Sequence, residues 1–179
     1  MHHDTSAFVR AVSRLWLWSV HMRSGFCLMS ALVFLLAACQ QKAATFDPND
    51  PVATAQIDSI MKDAVAGASS ADVDKTLKMA EGPGEFTFIT GDLMLTGFAP
   101  IKKAFAQTYA ALRRQRTDVT SRRIRLLSPD VALFTATGEG TYTDKAGHTS
   151  SPVGLGYTII FVKQNGRWQA EHAHQSIAP

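Results

Sequence analysis

Residues 165–179 read NGRWQAEHAHQSIAP, and this stretch decides how the rest of the chain is interpreted. Asn165-Gly166 is the dipeptide most typical of a two-residue β-hairpin turn. The period-two alternation after it predicts a strand near 167–176. The preceding residues alternate in the same way, which predicts further antiparallel strands near 117–127, 131–143 and 153–163, with a turn at Asp144-Lys145-Ala146-Gly147.

Helical patterns come before these strands. Asp50 followed by Pro51 is a typical helix start, and Gly67 to Ser70 is expected to end that helix. Ser70 is then expected to cap a short second helix, and Pro100 to open a third. The first helix has apolar residues at roughly helical spacing: Val52, Ile57, Ile60, Met61, Ala64 and Val65.

A short strand pair, near 86–90 and 93–95, lies between the second and third helices. The predicted order is therefore α-α-β-β-α-β-β-β-β. Such an order indicates the α+β class, with helices packed on one face of a strongly curved antiparallel sheet.

The end of the chain resembles a known family. Residues 48–179 are similar in order of elements to the nuclear-transport-factor-2-like superfamily, and Gly97 to Ile101 match its entry to the third helix. SnoaL-like bacterial groups end similarly. The resemblance implies a cone-shaped domain that encloses a pocket and commonly dimerises through its sheet. Within the superfamily, the association domain of calcium/calmodulin-dependent kinase II is most similar at Trp168, His172, His174, Ser176, Ala178 and Pro179.

The beginning of the chain resembles a bacterial lipoprotein signal. An apolar run over Gly25–Ala38 is too short for a transmembrane helix, which needs about 20 residues. Leu36-Ala37-Ala38-Cys39 follows the lipobox pattern, which implies cleavage before Cys39 and a lipid anchor there. We therefore expect a signal peptide at 1–38, with 1–21 as an over-extended start, and a lipidated tether at 39–47.

This division changes the charge and cysteine counts. Residues 1–38 contain Arg10, Arg14 and Arg23 against Asp4, which leaves 15 basic and 14 acidic residues, or a net charge of +1. Nucleic-acid binding is not expected at that charge. Cys27 leaves with the signal and Cys39 carries lipid, so a disulfide, a thiolate metal site and a cysteine nucleophile are excluded from the domain. The expected location is the cell envelope, on the periplasmic side of an outer membrane if the host has one.

His172 and His174 are the strongest candidates for chemistry. Because they are two residues apart on a strand, they are expected on one face with Trp168. Two such imidazoles could line a ligand pocket, act as acid and base, or supply half of a metal site. No metal site and no cofactor is expected, because a third protein ligand is not evident. The other candidates for the pocket are Tyr109, Tyr157 and Asp92.

Two functions remain open at this stage. The first is a lipid-anchored, homodimeric domain that binds a small apolar or amphipathic molecule, or a protein partner, without catalysis. The second is a proton-transfer enzyme (an isomerase, cyclase or dehydratase), with His172 or His174 as base. Against the second, the strand near 86–90 lacks the carboxylate that the isomerase-like members place there. A cluster of six arginines is expected to form a solvated face; the alternatives are pairing with carboxylates across a dimer and attraction of an anionic ligand. Its members are Arg113, Arg114, Arg116, Arg122, Arg123 and Arg125.

Overall fold

The computed structural model describes residues 46–82 and 84–178; the predicted signal peptide and the lipidation site at Cys39 lie outside these residues. In the described part, three α-helices, one 3-10 turn and six strands follow one another. They are α1 (Pro51–Ser69), α2 (Val73–Leu77), the 3-10 turn (Lys78–Ala80), β1 (Thr87–Thr90), β2 (Leu93–Thr96), α3 (Phe98–Ala111), β3 (Leu112–Ser128), β4 (Val131–Asp144), β5 (Val153–Gln164) and β6 (Arg167–Ile177).

The six strands form one curved, unclosed sheet in the order β2-β1-β6-β5-β4-β3. The predicted α+β class and element order are confirmed. One detail needs correction, because β1 pairs with β6 in the parallel direction and the sheet is therefore mixed. Hairpin turns force neighbouring strands to be antiparallel, but β1 and β6 are far apart in sequence and no hairpin sets their relative direction.

Helix α1 begins where the sequence predicts. The Asp50 side chain accepts hydrogen bonds from the backbone N–H groups of Val52 and Ala53. The helix continues to Ser69, however, past the expected end at Gly67. A Cβ on Gly67 would overlap the backbone of Thr76, so glycine is needed there because α2 packs closely against α1.

Two other helix starts differ from prediction by two residues. Helix α2 is capped by Asp72, whose side chain accepts from Lys75 N, and not by Ser70. The hydroxyl of Ser70 instead donates to carbonyls in the last turn of α1. Helix α3 begins at Phe98, so Pro100 lies in its first turn, where proline is tolerated because no intrahelical N–H bond is lost.

The core lies between the helices and one face of the sheet, called here the inner face. The strands contribute a row of paired residues to it, formed by Ile124, Phe134, Ile159, Ala173 and Phe88. Ile57 of α1, Leu77 of α2 and Ile101 of α3 cover that row and are fully buried. Burial of such side chains contributes about 1.5–3 kcal/mol each to folding.

The opposite face of the sheet is called here the outer face. Its matching row is Arg125, Leu133, Ile160, His172 and Thr87. Arg122 belongs to the inner face and pairs with Asp58 of α1, whereas Arg123 and Arg125 lie on the outer face. Among the described helices, none combines the length and apolar character required to cross a membrane.

Candidate functional site

A β-bulge in β6 decides where the histidines lie. The pairing of β5 with β6 shifts between Ile160 and Phe161, which leaves Glu171 as an extra residue on β6. An extra residue reverses the alternation of side chains beyond it. The buried positions on β6 accordingly run Trp168, Ala170 and then Ala173.

The predicted face shared by Trp168 and the two histidines is therefore wrong. Trp168 and Ala170 point into the core, whereas His172 and His174 lie on the outer face. His174 pairs with Thr158 of β5 and Ile89 of β1, and it is exposed to solvent. The sequence pattern alternates without interruption through Glu171, so only the spacing of small apolar residues hints at the bulge.

The same bulge brings Gln175 to the inner face, opposite Tyr157 of β5. The Gln175 side-chain amide donates a hydrogen bond to Tyr157 Oη at 3.2 Å. Burial raises the pKa of Tyr157 to about 12, and the bond from Gln175 acts in the opposite direction. Tyr157 is therefore neutral at physiological pH and keeps its hydroxyl proton.

A second polar pair joins two helices nearby. Thr76 Oγ1 of α2 lies 3.2 Å from Tyr109 Oη of α3 and 2.7 Å from the Asp72 carbonyl oxygen. Because the Thr76 hydroxyl has one proton and donates it to that carbonyl, Tyr109 must be the donor to Thr76. Burial raises the pKa of Tyr109 also. Tyr109 also contributes to the raised pKa of Tyr157, so the two phenols lie in the same part of the domain.

Aromatic rings connect this cluster to β1. The ring centroids of Phe88 and Phe105 are 5.2 Å apart, and those of Phe105 and Tyr109 are 5.8 Å apart, both edge to face. Such pairs fix ring orientation as well as burying area. The inner face therefore presents two neutral phenols and an amide beside apolar rings, a combination typical of small-molecule sites. We call Tyr109, Tyr157, Gln175, Phe88 and Phe105 the phenol cluster.

Other predicted site residues lie elsewhere. Asp92 is exposed in the turn between β1 and β2, and His148 is bonded to Asp144 in the hairpin turn between β4 and β5. Trp168 is 5% exposed, and its Nε1 is buried with no hydrogen-bond partner among the described residues. In residues 46–82 and 84–178, no three His, Cys, Asp or Glu side chains come together in a way that could hold a metal ion.

Part of the phenol cluster is not evident from the sequence. Uninterrupted alternation from Trp168 would put Gln175 on the opposite face of the strand, and Thr76 shows no pattern that separates it from any other helical threonine. Phe88 lies in the strand predicted near 86–90 and Phe105 in the predicted third helix, and nothing in the sequence pairs their rings. The spacing of Trp168, Ala170 and Ala173, two residues and then three, is the signal that could have identified Gln175.

Three helices on a mixed, curved six-stranded sheet, with a polar cluster on the helix-covered face, define the nuclear-transport-factor-2-like fold. Residues 54–179 match the family model for the calcium/calmodulin dependent protein kinase II association domain. The chain belongs to that family. No curated protein matches it.

Solved structures agree on the fold. A protein from Xanthomonas campestris, named as a proposed calcium/calmodulin dependent protein kinase II association domain, is 21% identical with a TM-score of 0.58, covering 69% of this chain and 86% of its own. A proposed dehydratase of the same superfamily from Streptomyces avermitilis is 14% identical with a TM-score of 0.62, covering 72% and 97%. A superfamily protein from Salmonella enterica is 15% identical with a TM-score of 0.62, covering 72% and 94%. At these identities the likeness concerns the fold alone.

Proposed function

We propose that this protein is a lipid-anchored binding protein that holds a small, neutral, amphipathic molecule at the phenol cluster without transforming it. The ligand has an apolar, preferably aromatic, body that packs on Phe88 and Phe105. It also carries a hydrogen-bond acceptor, such as a carbonyl or ether oxygen, that accepts a hydrogen bond from the Tyr157 hydroxyl.

The hydrogen bond between Gln175 and Tyr157 carries this proposal. The amide donates to the phenol oxygen, so the phenol proton points to a partner other than Gln175. Tyr109 differs, because its hydroxyl already donates a hydrogen bond to Thr76. A half-buried donor beside apolar rings favours a ligand acceptor, because leaving such a donor unsatisfied costs about 1–3 kcal/mol.

The separation of the histidines from the phenols supports binding over catalysis. A proton-transfer enzyme needs a base within hydrogen-bond reach of the reacting atom. His172 and His174 lie on the outer face, and His148 lies in an exposed turn, so none of the three described histidines shares a face with Tyr157. The Streptomyces relative is named as a proposed dehydratase, which keeps a pocket enzyme as the second candidate.

Two further parts of the proposal concern assembly and location. We infer lipidation at Cys39 and residence in the cell envelope from the lipobox pattern. We also infer a homodimer through the outer face, where the aliphatic Leu133 and Ile160 are only partly buried within one chain. His172 flanks these two residues on β6, and Arg125 flanks them on β3.

Native mass spectrometry of the full chain extracted from membranes tests these parts separately. We expect a dimer of chains that begin at Cys39, each with lipid mass and one retained small organic molecule. Tyr157→Phe should retain less of the small molecule and keep the lipid and the dimer. A small molecule recovered in chemically altered form after incubation would favour the enzyme, and retention that is unchanged in Tyr157→Phe would contradict the proposed site.

A further inference from the structure

A single row of paired residues on the inner face runs through Gln175 and Tyr157. From β2 to β3 it consists of Leu93, Thr90, Gln175, Tyr157, Ala136 and Arg122. Residues that pair directly on neighbouring strands project from the same face of a sheet and contact each other. A ligand that reaches the Tyr157 hydroxyl therefore lies beside the Gln175 side chain as well.

The carboxamide of Gln175 uses only part of its hydrogen-bonding capacity. Its Nε2 donates to Tyr157 Oη at 3.2 Å. In residues 46–82 and 84–178, no group donates a hydrogen bond to its Oε1, and this oxygen is not closed off from solvent. An amide oxygen accepts up to two hydrogen bonds. Gln175 therefore presents an accessible acceptor next to the phenol.

Tyr157 and Gln175 together present a donor and an acceptor side by side. The Tyr157 oxygen accepts from Gln175, so the phenol proton is directed to another partner. Gln175 Oε1 is bonded to the same carbon as Nε2, so it lies at most about 5.5 Å from Tyr157 Oη, given the 3.2 Å hydrogen bond. A ligand that satisfies both groups needs an acceptor oxygen and a hydrogen-bond donor on one small polar group.

The charged residue of this row does not favour an anionic ligand. Arg122 contacts both carboxylate oxygens of Asp58 on α1, through its Nε and Nη2 atoms. A ligand carboxylate would have to compete with Asp58 for the guanidinium. It would also place a second acceptor against Gln175 Oε1, which costs free energy because neither oxygen carries a proton. The polar group of the ligand is therefore uncharged and carries its own donor.

We propose that the phenol cluster selects ligands whose polar group is a neutral primary carboxamide or a lactam. The carbonyl oxygen accepts a hydrogen bond from Tyr157, and the N–H on the same side of the amide donates to Gln175 Oε1. An open-chain secondary amide fits less well, because its trans geometry places the N–H opposite the carbonyl oxygen. This inference rests on the proposed function, since it names the polar group of the ligand that the phenol cluster holds.

Two fluorescent probes that differ in one group test the selection. They are 6-acetyl-2-dimethylaminonaphthalene, a methyl ketone, and 6-dimethylaminonaphthalene-2-carboxamide, in which an NH₂ group replaces the methyl group. Each is titrated against the full chain, Gln175→Met and Ser176→Ala. Gln175→Met keeps a side chain of similar length without the amide oxygen. Ser176→Ala is the matched control, because Ser176 is the next residue of β6 and lies exposed on the outer face.

The measured quantity is the ratio of the ketone Kd to the carboxamide Kd. Comparing this ratio between variants cancels the different hydration of the two probes. The ratio should be about three- to tenfold higher in the wild type and in Ser176→Ala than in Gln175→Met, because one hydrogen bond is lost. Equal ratios in the three proteins overturn the inference, and the proposed function stands if both probes bind more weakly to Tyr157→Phe. Failure of both probes to bind the wild type contradicts the proposed function itself.

A second measurement needs no variant and therefore does not depend on the folding of Gln175→Met. The carboxamide probe is labelled with ¹⁵N and bound to the wild-type chain, and its two N–H protons are followed by NMR. We expect one of them to shift downfield and to exchange with water more slowly than in the free probe. Two N–H protons that both exchange as in the free probe overturn the inference.

Discussion

Tyr157 is the residue on which the proposed site depends most. Its hydroxyl oxygen accepts a hydrogen bond from Gln175 at 3.2 Å, and the side chain packs against the hydrophobic core. The hydroxyl is therefore neutral, and its proton points away from Gln175. Tyr109 is more deeply buried and already donates to Thr76, which makes it a structural residue first. Both tyrosines are candidates from the sequence, but the sequence does not show which hydroxyl is available to donate a hydrogen bond to a ligand.

The raised pKa of Tyr157 predicts how stability changes at high pH. An acid whose pKa is higher in the folded state than in the unfolded state binds more protons when folded, so the free energy of unfolding falls as pH rises from about 10 to about 12. Tyr157→Phe should reduce that fall. Denaturant unfolding at several pH values, with tyrosinate absorbance as the second readout, checks this. An identical pH dependence in Tyr157→Phe would contradict the assigned burial.

Strand β6 shows where prediction from sequence ends. Its turn at Asn165-Gly166 and its bounds at Arg167 and Ile177 agree with the sequence expectation to within a residue. Asn165 and Gly166 both have positive φ, as a primed hairpin turn requires. The bulge at Glu171 depends on how β6 pairs with β5, and the local alternation of apolar and polar residues does not predict that pairing. The strands were therefore predictable, whereas the composition of each face beyond Glu171 was not.

Deleting Glu171 tests the importance of the bulge. Without the extra residue, His172 follows Ala170 directly, so regular alternation keeps Ala173 in the core and both histidines on the outer face. Because no imidazole has to be buried, the deletion should lower the free energy of unfolding by less than about 3 kcal/mol, measured by urea denaturation. Glu171→Ala keeps the residue count and is the matched control, with an expected change within about 0.5 kcal/mol. A deletion variant that is destabilised by more than about 3 kcal/mol would contradict the assignment of Glu171 as the extra residue of the bulge.

The two faces of the sheet carry different groups of residues. The inner face carries the core and the phenol cluster, and the outer face carries the histidines, two arginines and a strip of aliphatic residues. Family membership and fold follow from the sequence because turns, caps and alternation act locally. The assignment of residues to the two faces does not follow from the sequence, because it depends on pairing between strands that are distant in the chain.

Dimerisation through the outer face is tested by a charge in its aliphatic strip. Ile160→Glu should convert the dimer to a monomer, because an unpaired carboxylate cannot be buried at a subunit contact without a large desolvation cost. Light scattering after size exclusion measures the mass in solution. Val52→Glu, at an exposed position on α1, is the control and should remain dimeric. A dimeric Ile160→Glu would place the subunit contact elsewhere.

The central claim is that the phenol cluster binds a neutral amphipathic molecule, and a fluorescence titration tests it most directly. The neutral fluorescent ketone 6-propionyl-2-dimethylaminonaphthalene, whose carbonyl oxygen can accept a hydrogen bond from Tyr157, serves as the probe for the full chain, Tyr157→Phe and His174→Ala. We expect saturable binding of one probe per chain, weakened about three- to tenfold in Tyr157→Phe by loss of one hydrogen bond, and unchanged in His174→Ala on the outer face. Wild-type affinity in Tyr157→Phe together with weakened binding in His174→Ala would contradict the account.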